Sequence, residues 1–505
     1  MELRMRRGEL ARRPVGAVAV GIFQQQKRLD GPALTVDRAA GGALAAVLKS
    51  GDFSGRWGQV AVVHPTRGRI RRIIVVGLGP VAQFSPDRAR QAAALVARRA
   101  RDLSAGTLAM AIPAGGRLTP TIEAQACAEG IVLGHYRHTA YLREPGPAAL
   151  RRVEFVESDA ARQRELAPCV ERGARWAEAT CLARDLAATP GQDLTPEGLG
   201  KRAREIAKSS GAKVDVLGVP QLERLGMGAL LAVGRGSAHP PCFIVLDRGP
   251  VTKPRGPRPR TVVVIGKGVT FDTGGISLKP RENMQKMKYD MSGAAAVLGL
   301  FAALPTLDPS LRVVGLIPSA ENMPGGRALK PGDVVRSLDG TTIEVTNTDA
   351  EGRLLLADAL GYARRFEPEA VVDLATLTGA ISIALGHHAA GLFSSDETLV
   401  AELEQAARAS GERVWRMPLW DDYVPEMKGE IADLVNSSGA REGGAILGAI
   451  FLRHFARGLR WAHLDIASTA WSPGERPHER RGPTGFGVRL LLEWLNARAT
   501  SSLRA

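Results

Sequence analysis

Residues 261–280 read TVVVIGKGVTFDTGGISLKP. The unbroken apolar, β-branched run over 261–265 has the character of a strand buried on both faces, as in parallel sheets covered by helices. Lys267 and Asp272 follow it among four glycines, Gly266, Gly268, Gly274 and Gly275, which let the backbone fold tightly around that point. Open α/β sheets carry their sites on such loops, at the carboxyl ends of strands. The stretch therefore points to an α/β fold with chemistry at the end of this strand.

Working outward, the alternation continues in both directions. Strands are expected over 16–23, 59–63, 72–77, 107–112 and 153–156, with helices over 86–103 and 119–134. A long Ala-rich helix over 161–188 stops at Ala188-Thr-Pro-Gly191, where proline and glycine end it. Beyond it, strands are expected over 213–219, 242–247, 312–318, 343–346, 370–376 and 461–466, separated by helices over 292–304, 352–366, 398–410 and 443–456. A chain of 505 residues is too long for one ordinary core. We expect two α/β domains, 1–180 and 181–505, each a mixed, largely parallel sheet flanked by helices. The Pro- and Arg-rich stretch 249–260 reads as an exposed basic turn.

Two further motifs join the first. Residues 288–293 read KYDMSG and 347–354 read NTDAEGRL. Asp272, Asp290, Asp349 and Glu351 thus stand at strand-to-helix junctions, where crowded acids repel unless cations neutralise them. Lys267, Lys279 and Arg353 supply some positive charge, and two divalent metals would supply the rest. Oxygen-rich ligands suit zinc, manganese or magnesium, and two such ions clamp both sides of a hydrolytic step. Neither cluster contains histidine, and no His-Glu-x-x-His occurs anywhere, which excludes the common single-zinc protease. Taken singly each residue has an ordinary reading: an Asp by a glycine turn caps a helix, a Lys after a strand is solvated, and Arg353 pairs with Asp358 or Glu351.

Together the motifs closely resemble the leucyl (cytosol) aminopeptidase family, strongly over 181–495 and in pattern over 1–180. Asp433-Leu-Val-Asn436, Gly443-Gly-Ala-Ile446, His463-Leu-Asp-Ile-Ala-Ser-Thr-Ala-Trp471 and Thr484-Gly-Phe-Gly-Val-Arg489 extend it. The resemblance implies a metal-dependent exopeptidase that removes N-terminal residues, preferably leucine and other apolar ones, with a metal-bridging hydroxide as nucleophile. It implies that Asp272 and Glu351 touch both metals, Lys267 and Asp290 complete one, and Asp349 completes the other. Lys267 would ligate as a neutral amine, Lys279 would stabilise the oxyanion, and Arg353 with the backbone at Leu377 would hold a bicarbonate general base. Met287, Asn347, Thr376 and Gly379 match positions that shape the substrate pocket, although Met287 also suits plain core packing. The peptide's free amine would bind a metal, and the subunits would assemble as a hexamer. Ala188-Thr-Pro-Gly-Gln192 departs from the family's usual Asn-Thr-Pro-Pro-Asn, as do Ser468 and Pro483 from glycine and alanine; none is an expected ligand.

Composition bounds the alternatives. Hydrophobic content of 45% and charged content of 24% are ordinary for a folded soluble chain. Four scattered cysteines without Cys-x-x-Cys spacing fit a reducing compartment. No apolar run has the length of a membrane span. Arginines precede the apolar run over 15–23 in the manner of a secretory signal, but Gln24-Gln-Gln26 follows and no small-residue cleavage site does; a first strand and a cytoplasmic protein are expected. The net charge of +15 is uneven: residues 1–180 hold 28 Lys/Arg against 16 Asp/Glu, and the remainder 39 against 36. Solvated arginine-rich faces explain this without a partner, and a basic surface for DNA is the alternative, with or without peptidase activity. A different di-metal hydrolase such as a phosphatase is a third reading, against which the lysine-ligand motif argues.

His463 and Asp465 resemble an acid–base pair, yet their place at the end of an apolar strand favours structural hydrogen bonding.

Overall fold

The computed structural model describes all residues except 27, 114–117, 145, 147–148, 251–259, 308–310, 441 and 502–505. Most of the expected basic turn at 249–260 thus lies outside the described residues. The chain forms two compact units, Met1–Cys181 with Gly474–Arg480, and Leu182–Pro473 with Arg481–Ala505.

The first unit is built on a six-stranded sheet. Its order is Glu2–Arg7, Arg152–Glu157, Thr107–Met110, Ala17–Ile22, Ile73–Gly77 and Val60–Val63, parallel throughout except for the last, antiparallel strand. The interior strands Ala17–Ile22 and Ile73–Gly77 are almost continuously apolar and buried, as strands covered on both faces must be. The run that imitates a signal segment is therefore a central strand. It is the second strand and not the first: Glu2–Arg7, whose charged residues alternate with apolar ones, pairs at the sheet edge. The expectation overlooked it because arginines dominated its reading. The helices Pro86–Asp102 and Pro120–His135 pack against each other, joined by a buried ion pair in which Arg90 Nε lies 2.6 Å from Glu129 Oε2. Arg13 similarly meets buried Glu154 at 2.5 Å. Part of the positive charge of this third is therefore neutralised inside the unit.

The second unit centres on a nine-stranded mixed sheet. Along it run Val414–Arg416, Ala390–Phe393, Trp461–Asp465, Ala370–Ala375, Arg260–Gly266, Leu311–Asn322, Cys242–Arg248 and Lys213–Leu217, and Gly268–Asp272 pairs with the far end of Leu311–Asn322. Arg260–Gly266 lies between two parallel neighbours. Its Val263 and Ile265 join one core with Leu354, Leu355 and Phe451, while Val262 and Val264 on the opposite face are equally buried. The helix Ser292–Ala303, apolar on all sides, packs on that sheet through Phe301 and Val297, which fill the space beside Gly315.

Two expectations need correction. The strand expected over 343–346 is shorter, Thr342–Glu344, and belongs to a separate three-stranded sheet with Val334–Arg336 and Leu434–Val435. Four residues of alternating burial cannot specify which sheet they join. Asp272 ends a strand of its own, Gly268–Asp272, because the chain turns at Lys267 and re-enters the sheet beside Leu311–Asn322. No helix among the described residues is long and apolar enough to cross a membrane.

Candidate active site

The strand Arg260–Gly266 is followed directly by Lys267, whose backbone N–H donates to Leu374 O of the neighbouring strand at 3.0 Å. This anchors its side chain where the second motif arrives. Lys267 is 2% exposed, and its Nζ lies 2.8 Å from each of Asp290 Oδ2, Glu351 Oε1 and Thr376 O. Three acceptors match the three N–H bonds of an ammonium. Gly352, first residue of the helix Gly352–Ala363, makes the approach possible: a Cβ there would stand 2.7–2.9 Å from Lys267 Cδ, Cε and Nζ.

Asp272 is held by two donors, Gly274 N at 2.9 Å and Asn322 Nδ2 at 2.8 Å, both on Oδ1. Its Oδ2 lies 2.7 Å from Lys279 Nζ, which also contacts Asp349. Gly274, at φ +87, carries the chain through a left-handed turn that a side chain would bring against Ser277 O and Asp349. Thr348 ties this turn to the other motif, donating from Oγ1 to Gly274 O at 2.6 Å and accepting from Ser277 N at 2.8 Å. Asp290 accepts a 2.6 Å bond from Thr376 Oγ1, and Asp349 N donates to Asn347 Oδ1 at 2.9 Å.

The electrostatics follow from this crowding. Burial, together with Asp272 and Glu351, pushes the Asp290 carboxyl above the usual carboxylate range against the pull of Lys267. Burial raises Asp349 to about 6, opposed by Lys279. Burial also disfavours the charge on both lysines, but the surrounding carboxylates prevail and hold each ammonium above its ordinary value. Four carboxylates thus face two ammonium groups, and Arg353, which feels Glu351, adds one further positive charge. Asp272, Asp290 and Glu351 can each offer one oxygen within 4.8 Å of the others, the arrangement of a site for a cation. The donor set therefore fits divalent metal.

Arg353 is 8% exposed; Nη1 donates to Asn436 O at 2.6 Å, and the guanidinium lies 5.9 Å from the Phe451 ring centre. Burial lowers it to about 10. It does not pair with Asp358, which instead accepts from Leu230 N and Leu338 N, each at 2.8 Å. Leu377, Thr378 and Arg353 Nη2 surround Gly448 of the helix Gly444–Phe455. The Leu377 amide donates to Asp465 Oδ1 at 3.1 Å. Gly379 opens the helix Gly379–Leu385 with open space where a side chain would stand, and Met287 is half-buried in the turn Met284–Tyr289 that leads into Asp290.

His463 does not pair with Asp465. Its Nδ1 meets Asp373 Oδ1 at 2.6 Å, both fully buried, and Trp461 Nε1 donates to the other oxygen at 2.6 Å. Asp465 instead accepts from Thr378 Oγ1 at 2.6 Å. The polar residues that sequence reasoning left without a role are Asn322 and Asn436. Asn322 ends an apolar strand, a signal that could have marked it; Asn436 bonds Asn347 O and Thr346 N across 90 residues or nearly so, which no local pattern reveals.

Comparison with known proteins agrees with this geometry. The cytosol aminopeptidase family's catalytic-domain model matches residues 181–492, and its N-terminal-domain model matches 19–145. A probable cytosol aminopeptidase of Roseiflexus castenholzii is 47% identical over 456 residues, 89% of this chain and 92% of its own. One from Geobacter sp. (strain M21) is 44% identical over 487 residues, 95% of this chain and 96% of its own. Among solved structures, the bottromycin maturation enzyme BotP in complex with Mn is 40% identical with a TM-score of 0.85, covering 96% of this chain and 100% of that one. A variant of tomato leucine aminopeptidase is 35% identical with a TM-score of 0.87, covering 98% and 96%. The chain belongs to the cytosol aminopeptidase family and is a metal-dependent aminopeptidase.

Proposed function

We propose that this aminopeptidase prefers leucine and other apolar N-terminal residues and works with two divalent ions per subunit, zinc or manganese. The observation that carries the metal reading is the buried cluster of Asp272, Asp290 and Glu351, each able to offer one oxygen within 4.8 Å of the others. Asp272 and Glu351 would touch both ions, Lys267, its ammonium proton displaced by the metal, would complete one set with Asp290, and Asp349 would complete the other. Oxygen-rich ligands accept either metal. When bound, the ions would supply Lewis acidity at the scissile carbonyl and a nucleophilic hydroxide at neutral pH.

The chain's own residues do the rest. Lys279 Nζ, held on the rim by Asp272 and Asp349, donates to the oxyanion that develops on the carbonyl oxygen. Arg353 would hold bicarbonate beside the Leu377 backbone as the group that accepts the nucleophile's proton. Its guanidinium is fixed by Asn436 O and Phe451, so it presents a fork without reorganisation. Thr376 keeps Asp290 and Lys267 in register, and Asn347 sets the turn at Asp349. Met287, Asn347, Thr376 and Gly379 would border the substrate.

Metal-stripped protein should hydrolyse leucine p-nitroanilide only after zinc or manganese is added, and Glu351→Ala should lose that response. Activity undiminished in Glu351→Ala would sink the ligand assignment, and equal rates on lysine and leucine substrates the proposed preference. In carbonate-free buffer turnover should fall and recover with added bicarbonate, except in Arg353→Met. We further propose a cytoplasmic homohexamer acting on peptides; light scattering tests the assembly. The family to which the chain belongs does not favour the DNA-binding alternative.

A further inference from the structure

We propose that the first unit carries a second binding site, for a mononucleotide, separate from the peptidase centre. It rests on topology and on a cavity. From the strand Ala17–Ile22 the chain passes through the edge strand Val60–Val63 to Ile73–Gly77 on one side, whereas from Thr107–Met110 it passes to Arg152–Glu157 on the other. These two strands are adjacent and parallel. Their onward connections diverge, which leaves a crevice outside their carboxyl ends. Ligands of open α/β sheets bind at such a switch point.

A cavity of about 610 Å³ occupies that position. Its size is within the roughly 300–1,000 Å³ of small-molecule sites. Phe23 and Gln24, just past the first strand, line one side, and Ala111 and Ile112, just past the other, line the opposite side. Leu78 and Val81 add further apolar wall, fit for the faces of a planar base. The helix Gly31–Ala39 starts in the lining, with Gly31, Pro32 and Ala33 bordering the cavity. Its cap residue Asp30 makes no capping bond; the carboxylate instead accepts from Gln26 Nε2 at 3.0 Å. The positive end of the helix dipole is thus left for a ligand's anion.

Asp30 also decides against a bare anion. Asp30 borders the same cavity, and its carboxylate accepts hydrogen bonds from ribose hydroxyls or an exocyclic amine, donors that phosphate alone lacks. Gln24 and Gln25 add amide donors and acceptors. A ligand with a planar apolar body, donors beside it and one anionic end meets all these walls. A nucleoside monophosphate is that ligand.

The test is isothermal titration of the full chain with AMP, GMP and UMP, beside adenosine and inorganic phosphate. At least one nucleotide should bind saturably and more tightly than its nucleoside or phosphate. Asp30→Ala, an exposed position, should weaken binding about tenfold, the loss of one good hydrogen bond. Val81→Trp, at a position 45% exposed, should narrow the cavity and abolish it. Both variants should keep leucine p-nitroanilide hydrolysis, which reports folding and is read independently of the nucleotide. No saturable binding of any nucleotide overturns the proposal. So does binding that survives both variants, which would place the nucleotide elsewhere, or phosphate binding as tightly as the nucleotide.

Discussion

Replacing Lys267 with methionine keeps the length of the side chain and removes its charge. The ammonium sits 2.8 Å from both Asp290 Oδ2 and Glu351 Oε1. At an effective dielectric of about 20, each such pair is worth about 6 kcal/mol of Coulomb attraction. Desolvation of the buried ions offsets most of that. Removing one partner of a buried pair therefore costs about 3–5 kcal/mol, because the charges left behind have nothing to face. Metal-free Lys267→Met should accordingly melt several degrees below the metal-free wild type in calorimetry with chelator present. The pH dependence has a definite sign. The lysine's pKa is raised on folding, so its stabilisation is fully present across neutral pH and is lost only as pH rises through the raised, folded value. In the variant the remaining acids repel, and Asp290, already held above its usual range, takes up a proton as pH falls. The deficit should shrink from pH 8 to pH 5.5. A melting temperature unchanged by the substitution, or a deficit that grows on acidification, would refute the electrostatic account.

Three further outcomes follow from the same geometry. Gly352→Ala should be less stable than the wild type, because the clash of its Cβ with buried Lys267 outweighs the about 1 kcal/mol that alanine gains in a helix. It should also bind metal at least about tenfold more weakly, because its Cβ displaces Lys267; unchanged affinity by metal titration would contradict this. Lys279→Ala should retain metal and substrate affinity while kcat falls about 10²–10³-fold, the scale of a lost oxyanion donor; steady-state kinetics with kcat unchanged would reject that role. Burial raises the Asp358 carboxyl to about 7, so its ionisation costs stability as pH rises through that value. The wild type should gain stability over Asp358→Asn as pH falls from 7.5 to 5, and a pH-independent difference in urea unfolding would count against it.

How far the sequence carried these conclusions varies by residue. The strand over 261–265 was legible because burial on both faces leaves Thr261, at its start, as the one polar position in it. The carboxylates at 272, 290, 349 and 351 were legible because so many acids near glycine turns have no structural reason to cluster. The small sheet that holds Thr342–Glu344 was not, since its partner Leu434–Val435 lies some 90 residues away and contributes two residues. Nor was the partner of His463. Asp465 stands two residues along the same strand and therefore shares its face, but Asp373 on the neighbouring strand is directly opposite in register and takes the bond. Cross-strand register is decided by the sheet as a whole, and local pattern contains little of it.

The return of Gly474–Arg480 to the first unit has a consequence for how the chain matures. Arg98, on the helix Pro86–Asp102, donates to Glu479 O at 2.8 Å, a partner nearly four hundred residues downstream. Domains commonly fold in order of emergence from the ribosome. Here the earliest-made unit has to wait for this segment until almost the whole polypeptide exists. A nascent chain arrested after residue 181 should be cut by protease faster than the same region in the finished protein, and a peptide spanning 474–480 supplied in trans should slow that cleavage.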